Sequence, residues 1–290
     1  MTILQALILG LIQGATEFIP VSSSGHLTLV PWLLDWQFDA VLKNAFDVLT
    51  HWGTLVAVVA VFWRDLWELL LGGLRTLGGL RALRAGVRAT GLGGVLARIE
   101  ADPQGKLAWL IVVGSIPAAV LGLLFEDFFE GLFGTPRIVS ALLLVTAALL
   151  AFSEWRGRKG RGVETLSWLD ALLIGLGQAL AIAPGISRSG ATIASGLLRG
   201  VKRDAAARFS FLLSTPVILG AGVWQLKDLF ESPDWTAHLP PMLVGFACSA
   251  LVGYLCIRFL LGFLRKGKLY PFAVYCTAAG VACLVISFTR

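Results

Sequence analysis

Two polar runs interrupt otherwise apolar stretches of this 290-residue chain, and they carry the side chains best suited to phosphate chemistry. The second run is Pro184-Gly185-Ile186-Ser187-Arg188-Ser189-Gly190-Ala191-Thr192. Its Pro-Gly pair breaks a helix, and Ser187 is suited to cap the helix that follows. Such a start aims free backbone N–H groups and the positive helix end at an anion. Arg188 adds a planar fork that matches phosphate oxygens, and Ser187, Ser189 and Thr192 add hydroxyl donors. Irregular polar backbone at membrane depth is tolerated only where it lines a protein-buried cavity. An arginine there is a functional-site hypothesis by default. The bland alternative is a structural break with Arg188 paired to a carboxylate.

The first run holds different chemistry. Gln13 and Glu17 are four residues apart on one helix face, and Glu17 is the sole carboxylate between Met1 and Asp35. Ser22, Ser23 and Ser24 follow, then Gly25 and His26. A serine needs a neighbouring base to act as a nucleophile, and histidine titrates in the range a base requires. A Glu–Ser–His set of this kind could also serve a proton or ion pathway. Asp47, Thr50 and His51, a little further on, are expected to support these groups near the outer end of the first long span.

The elements that must position these residues follow from composition. The chain is 57% hydrophobic and 14% charged, with mean hydropathy +0.80. Soluble domains carry about 25% charged residues, so a membrane protein is expected. The net charge of +6 sits in short basic blocks between apolar segments, which argues for cytoplasmic loops and against nucleic acid. Cys248, Cys256, Cys276 and Cys283 lie in apolar segments without metal-ligand spacing and are expected to be small core residues. Residues 1–15 lack the basic start of a cleavable signal, so the spans themselves are expected to direct insertion.

Uncharged runs at 107–125, 138–153, 209–226, 239–257 and 269–289, with a further segment at 45–71, predict six spans. Regions 1–35 and 168–200 are apolar but interrupted by Pro, Gly and Ser. Paired interruptions in two halves mark inverted repeats with broken helices. Counting supports a repeat. At the shift that takes Ser22 to Ser187, Gly10, Gln13, Ser24 and Gly25 match Gly175, Gln178, Ser189 and Gly190. Basic blocks fall at 72–106 (Arg75, Arg81, Arg84, Arg88, Arg98, Lys106), 156–161, 199–208 and 265–268. The alternate connections, with Glu126, Asp127 and Glu130 and then Asp228, Glu231 and Asp234, are acidic. The expected architecture is therefore an all-α polytopic membrane protein of six transmembrane helices plus two re-entrant helix-loop-helix hairpins in an inverted-topology repeat. The first repeat is 1–155, with hairpin 1–35, three spans and the basic cytoplasmic loop 72–106. The second is 163–290, with hairpin 168–200 and three spans. An interfacial helix over Leu77–Leu96 or a plain loop would equally fit the glycine-rich part of 72–105.

Residues 13–26, Gln-Gly-Ala-Thr-Glu-Phe-Ile-Pro-Val-Ser-Ser-Ser-Gly-His, and 184–192, Pro-Gly-Ile-Ser-Arg-Ser-Gly-Ala-Thr, resemble the two signatures of the undecaprenyl-diphosphatase family, the bacitracin-resistance type of bacterial membrane phosphatase. Ile116-Pro117 with Phe125, and Phe209-Ser210-Phe211-Leu212-Leu213, add to a resemblance that spans nearly the whole chain. It implies removal of the terminal phosphate of undecaprenyl diphosphate, giving the lipid carrier back to cell-wall synthesis, with bacitracin resistance as a consequence. It implies a multi-pass protein of the bacterial inner membrane, with its active site opening to the periplasmic face.

Carried over, Glu17, His26 and Arg188 are catalytic, and Ser23 is a candidate nucleophile with His26 as the rival. Ser22, Ser24, Ser187, Ser189 and Thr192 bind phosphate. A divalent cation, Mg or Ca, is expected from the family, with Glu17 and Gln13 as candidate ligands. Some relatives carry Glu where this chain has Gln13, so the substrate's own diphosphate would share the ion. The partners implied are a prenyl diphosphate lipid and the bilayer, with a homodimer left open. The competing class is a secondary transporter or flippase for a phosphorylated lipid or anion, because broken-helix inverted repeats are transporter architecture.

Overall fold

A computed structural model describes residues 1–84, 92–157, 160–231 and 238–290. Among the described residues the chain is helical throughout, apart from short turns and one isolated bridge between Arg161 and Val201. A short-helix pair opens the chain, α1 (Ile3–Phe18) and α2 (Ser23–Leu33). There follow α3 (Ala40–Arg84), α4 (Leu92–Ala101), α5 (Pro103–Leu124), α6 (Glu126–Phe133) and α7 (Pro136–Arg156). A second short pair, α8 (Trp168–Leu180) and α9 (Arg188–Leu198), precedes α10 (Arg203–Glu231), α11 (Leu239–Leu264) and α12 (Tyr270–Thr289).

Among the described residues, six helices are long and apolar enough to cross a membrane: α3, α5, α7, α10, α11 and α12. They answer to the six expected spans, but several run further than the uncharged segments. α3 begins at Ala40 rather than near 45 and continues to Arg84, and α10 begins at Arg203 rather than 209. Charges at these ends are tolerated because they are paired: Lys43 with Asp47, Arg208 with Asp65, and Arg203 with the buried carboxylate of Glu154. The basic loop 72–106 is largely helical, formed by the tail of α3 and by α4. Residues 85–91 of the region considered for an interfacial helix, including Arg88, lie outside the described residues, as do Arg158, Lys159 and Asp234.

The short helices cannot span. With 16 residues α1 reaches about 24 Å, and with 11 residues α2 and α9 reach about 16 Å, against a hydrocarbon core of about 30 Å. The first helix of each pair packs against a long helix of the other half, α1 on α11 and α8 on α5, and leaves its opposite apolar face exposed. Glycine makes both approaches close. A Cβ on Gly10 would stand 2.6 Å from the Gly245 carbonyl oxygen, and one on Gly175 would collide with the Gly114 carbonyl. Small residues let membrane helices approach backbone to backbone in this way.

Aromatic residues fill the space beneath the short pairs. Phe18, at the end of α1, meets Phe211 of α10 edge-on at 5.2 Å, and both are fully buried. Trp63, Trp67, Leu124, Trp155 and Phe288 are exposed on the outside. Such large apolar side chains are the surface that hydrocarbon, rather than water, would cover. All four cysteines are free; Cys276 and Cys283 are buried, as expected of core residues, whereas Cys248 and Cys256 are only half-buried. A clasp ties the segment before α8 to the end of α9. The fully buried Asp170 carboxylate accepts from Arg161 at 2.7 Å and from Arg199 at 2.6 Å.

Candidate active site

The tips of the two short pairs meet. α1 ends at Phe18, and Pro20 lies in the turn before α2. Ser22 then caps α2, its hydroxyl accepting from the Gly25 N–H at 3.2 Å. Its backbone sits at φ 71°, the left-handed region that is costly for a residue with a side chain. Ser187 caps α9 in the same manner, accepting from the Gly190 N–H at 3.0 Å. In each turn the capping hydroxyl also lies beside the serine two residues on: Ser22 and Ser24 at 3.3 Å, Ser187 and Ser189 at 3.2 Å.

Long helices steady both turns. Thr146 of α7 donates to the Gly185 carbonyl at 2.8 Å and accepts from the Ser187 N–H at 2.9 Å. Cys276 of α12 points its thiol at the Pro20 carbonyl, 3.8 Å away. The turns also touch reciprocally. A Cβ on Gly25 would lie 3.3 Å from Gly185 Cα, and one on Gly190 would lie 3.5 Å from Pro20 Cβ. Both helix starts are therefore directed at one small region, each bringing N–H groups and hydroxyls.

Glu17 is the hub of that region. Arg188 Nη2 donates to its Oε1 at 2.6 Å, and Ser23 Oγ donates to its Oε2 at 2.5 Å. Gln13 Nε2 donates to the same oxygen at 3.0 Å, and His51 Nε2 stands 3.6 Å from it. The carboxylate is almost fully buried, and the Arg188 side chain is 14% exposed. A single buried carboxylate thus joins residues 171 positions apart in sequence. Two polar atoms at the hub have no hydrogen-bond partner among the described residues, Arg188 Nη1 and Gln13 Oε1. Both are buried, and an unpartnered buried polar group is costly enough to require a reason.

The expected site residues divide into three groups. Glu17, Ser23, Arg188 and Gln13 are brought together directly. Ser22, Ser24, Ser187 and Ser189 form the two hydroxyl pairs at the helix starts. Thr192 is turned inward, bonding the Arg188 carbonyl at 2.7 Å and the Ser210 hydroxyl of α10 at 2.7 Å. His26 faces away from Glu17. Its Nδ1 lies 2.7 Å from the Ser22 carbonyl oxygen, and its Nε2 lies 2.7 Å from the Tyr275 hydroxyl of α12. His51, expected as a supporting group, does stand beside Glu17, with its Nδ1 2.7 Å from the Asp47 carbonyl oxygen. Tyr275 and Thr146 carry no local signal in the sequence, and Ser210 only the resemblance of the segment around it. Each is an isolated polar residue in an apolar helix, and only the packing of helices brings it to the turns.

The sequence model of a family described as bacitracin resistance protein BacA matches residues 6–282. An undecaprenyl-diphosphatase of Pelotomaculum thermopropionicum is 41% identical over 290 residues, covering 100% of this chain and 98% of that protein. One from Rubrobacter xylanophilus is 44% identical over 286 residues, covering 98% of each. One from Methanosphaera stadtmanae is 41% identical over 285 residues, again covering 98% of each.

Proposed function

The chain belongs to the BacA bacitracin-resistance family, and from that premise we propose that it hydrolyses undecaprenyl diphosphate to undecaprenyl phosphate and inorganic phosphate. This recycles the lipid carrier for cell-wall synthesis and confers bacitracin resistance. The observation that carries the reading is the grip of Glu17 on two groups at once, Ser23 Oγ at 2.5 Å and Arg188 Nη2 at 2.6 Å. A carboxylate bonded to a serine hydroxyl can take its proton, and a guanidinium with a spare N–H can hold a phosphate oxygen.

The outer phosphate of the substrate lies between the two helix starts, its oxygens held by Arg188, the serine hydroxyls and backbone N–H groups. Ser23 Oγ attacks the outer phosphorus. A Ser23 O–P bond forms, the bridging P–O bond breaks, and the Ser23 proton passes to Glu17 Oε2. The lipid leaves as its monophosphate. Water then attacks the phosphoserine, the Ser23 O–P bond breaks, and Glu17 returns a proton to Ser23. His26 accepts the proton that water gives up. Positive and N–H groups fixed before the reaction stabilise the charge that develops on phosphorus. Ser23 is favoured over His26 as nucleophile because the Glu17 carboxylate touches Ser23 and not the imidazole.

A divalent cation fits at one place. Among the described residues no three His, Cys, Asp or Glu side chains gather as a metal site. The unpartnered Gln13 Oε1 is a hard oxygen beside Glu17, however. Gln13 and Glu17 would hold Mg or Ca together with the substrate's diphosphate, and the ion would neutralise phosphate charge. The matched glycine approaches and the reciprocal touching of the turns support two inverted repeats with re-entrant hairpins. The basic connections 75–106, 156–161 and 265–268 support a cytoplasmic side opposite 126–130, and the opening of the site to the periplasm rests on the family resemblance alone.

Arg188→Ala, assayed for phosphate release in detergent at saturating substrate, is expected to lose turnover by about a hundredfold or more. Undiminished turnover would overturn the scheme. Labelled phosphate trapped on Ser23 supports the nucleophile, and label on His26 reverses it. A transporter would use the anion-binding turns but has no use for the Ser23–Glu17 bond. Proteoliposomes that move prenyl phosphate without releasing inorganic phosphate would favour that class instead.

A further inference from the structure

His26 is held at both ring nitrogens, and the two partners differ in kind. Nδ1 lies 2.7 Å from the Ser22 carbonyl oxygen, which can only accept. Nδ1 therefore carries a hydrogen. In the neutral ring Nε2 is then a bare lone pair, and the group 2.7 Å away is the Tyr275 hydroxyl, which can donate to it. If the ring gains a proton, Nε2–H donates to the same phenolic oxygen without either side chain moving. The two rings meet edge to edge through this contact, with centroids 5.7 Å apart and planes inclined by 11°. Tyr275 comes from α12, at the opposite end of the sequence, so its position opposite His26 depends on the packing of whole helices.

We infer that Tyr275 is the positioning residue for His26: its hydroxyl, donating to Nε2, joins the Ser22 carbonyl in holding the ring in one orientation as the Nδ1–H tautomer, with Nε2 as the proton-accepting nitrogen. The inference rests on the phosphatase reading, in which His26 accepts a proton during hydrolysis of the phosphoserine. A histidine in the other tautomer would present a hydrogen where that step needs a lone pair.

The test is Tyr275→Phe, which keeps the ring and removes the hydroxyl. The chain has three histidines, so ring-nitrogen labelling gives a readable spectrum, with His26→Gln assigning the signal. At about pH 8, where an ordinary imidazole is neutral, the unsubstituted protein is expected to show His26 protonated at Nδ1. Its Nε2 signal is expected to bear the mark of an accepted hydrogen bond. In Tyr275→Phe that signal should move downfield, and kcat should fall at least about tenfold with KM unchanged. Tyr275→Ala should lose the ring order as well and broaden the signal. A His26 protonated at Nε2 in the unsubstituted protein would overturn the inference. So would a Tyr275→Phe spectrum and kcat both unchanged. If the unsubstituted protein releases no phosphate, the phosphatase reading fails, and the spectra still decide what Tyr275 does to His26.

Discussion

Glu17 answers to four neighbours, and their chemistry decides what its replacement should do. With Gln in its place, Arg188 loses the only carboxylate it pairs with among the described residues, and Ser23 loses its base. Removing one partner of a buried ion pair costs about 3–5 kcal/mol, because the other charge is left uncompensated. Glu17→Gln should therefore lower the unfolding temperature in detergent as well as abolish turnover. Ser23→Ala should abolish turnover while leaving stability nearly unchanged, since the carboxylate keeps Arg188 and Gln13. Equal destabilisation by the two variants would contradict this assignment. Gln13 offers a second test at this scale. Gln13→Glu would put a second carboxylate beside Glu17, so half-maximal phosphate release should need less Mg or Ca than the unsubstituted protein requires. A titration showing no change would remove Gln13 from the cation site. Much of this hub was legible in the sequence, because a carboxylate, serines and an arginine in two apolar stretches have few other uses. The choice between Ser23 and His26 was not. Both follow Glu17 within ten residues, and only the turn geometry sends one side chain to the carboxylate and the other to α12.

Helices were legible as spans and poorly legible at their ends. An uncharged run marks the part of a helix that lipid surrounds, but a helix continues as long as its charges find partners. Arg203 does so at buried Glu154, and α10 accordingly starts six residues before the uncharged run at 209. The short pairs were recognisable from Pro and Gly breaks, whereas the way they seat was not. Seating depends on glycines that look like ordinary apolar filler until the partner helix is known. Gly175→Ala should force α8 off the Gly114 backbone and cost about 1–3 kcal/mol of stability, as overpacking does. Gly10→Ala should do the same on α11. Gly220→Ala is the control, because a Cβ there meets nothing within 4 Å. It should leave thermal unfolding within about 0.5 kcal/mol of the unsubstituted protein, as unobstructed surface positions do. Similar losses at all three positions would mean that the close approaches do not hold the short pairs in place.

At the scale of the whole molecule, the two-halves arrangement explains why one site draws on both ends of the chain. Ser22 and Ser187 are matched caps, and Gly10 and Gly175 are matched approaches, yet the repeat is unequal where chemistry is needed. Glu17 has Ile182 as its counterpart, and Arg188 has Ser23. On the proposed repeat, duplication would supply two converging helix starts, and divergence would give one turn the carboxylate and the other the guanidinium. If the halves are inverted as proposed, the connection at Glu126–Glu130 and the one at Arg265–Lys268 face opposite compartments. In a variant with the four native cysteines replaced, Glu130→Cys should react with an impermeant thiol reagent in intact spheroplasts. Lys268→Cys should react only after lysis. Ser24, half-buried beside the Ser22 cap, then reports which way the site opens. Ser24→Cys should be labelled from outside and protected by prenyl diphosphate, because the substrate's outer phosphate would lie against that helix start. Labelling of Ser24→Cys only after lysis would turn the chamber to the cytoplasm and leave the chemistry of Glu17, Ser23 and Arg188 standing. Labelling of Glu130→Cys and Lys268→Cys from the same side would contradict the inverted repeat itself.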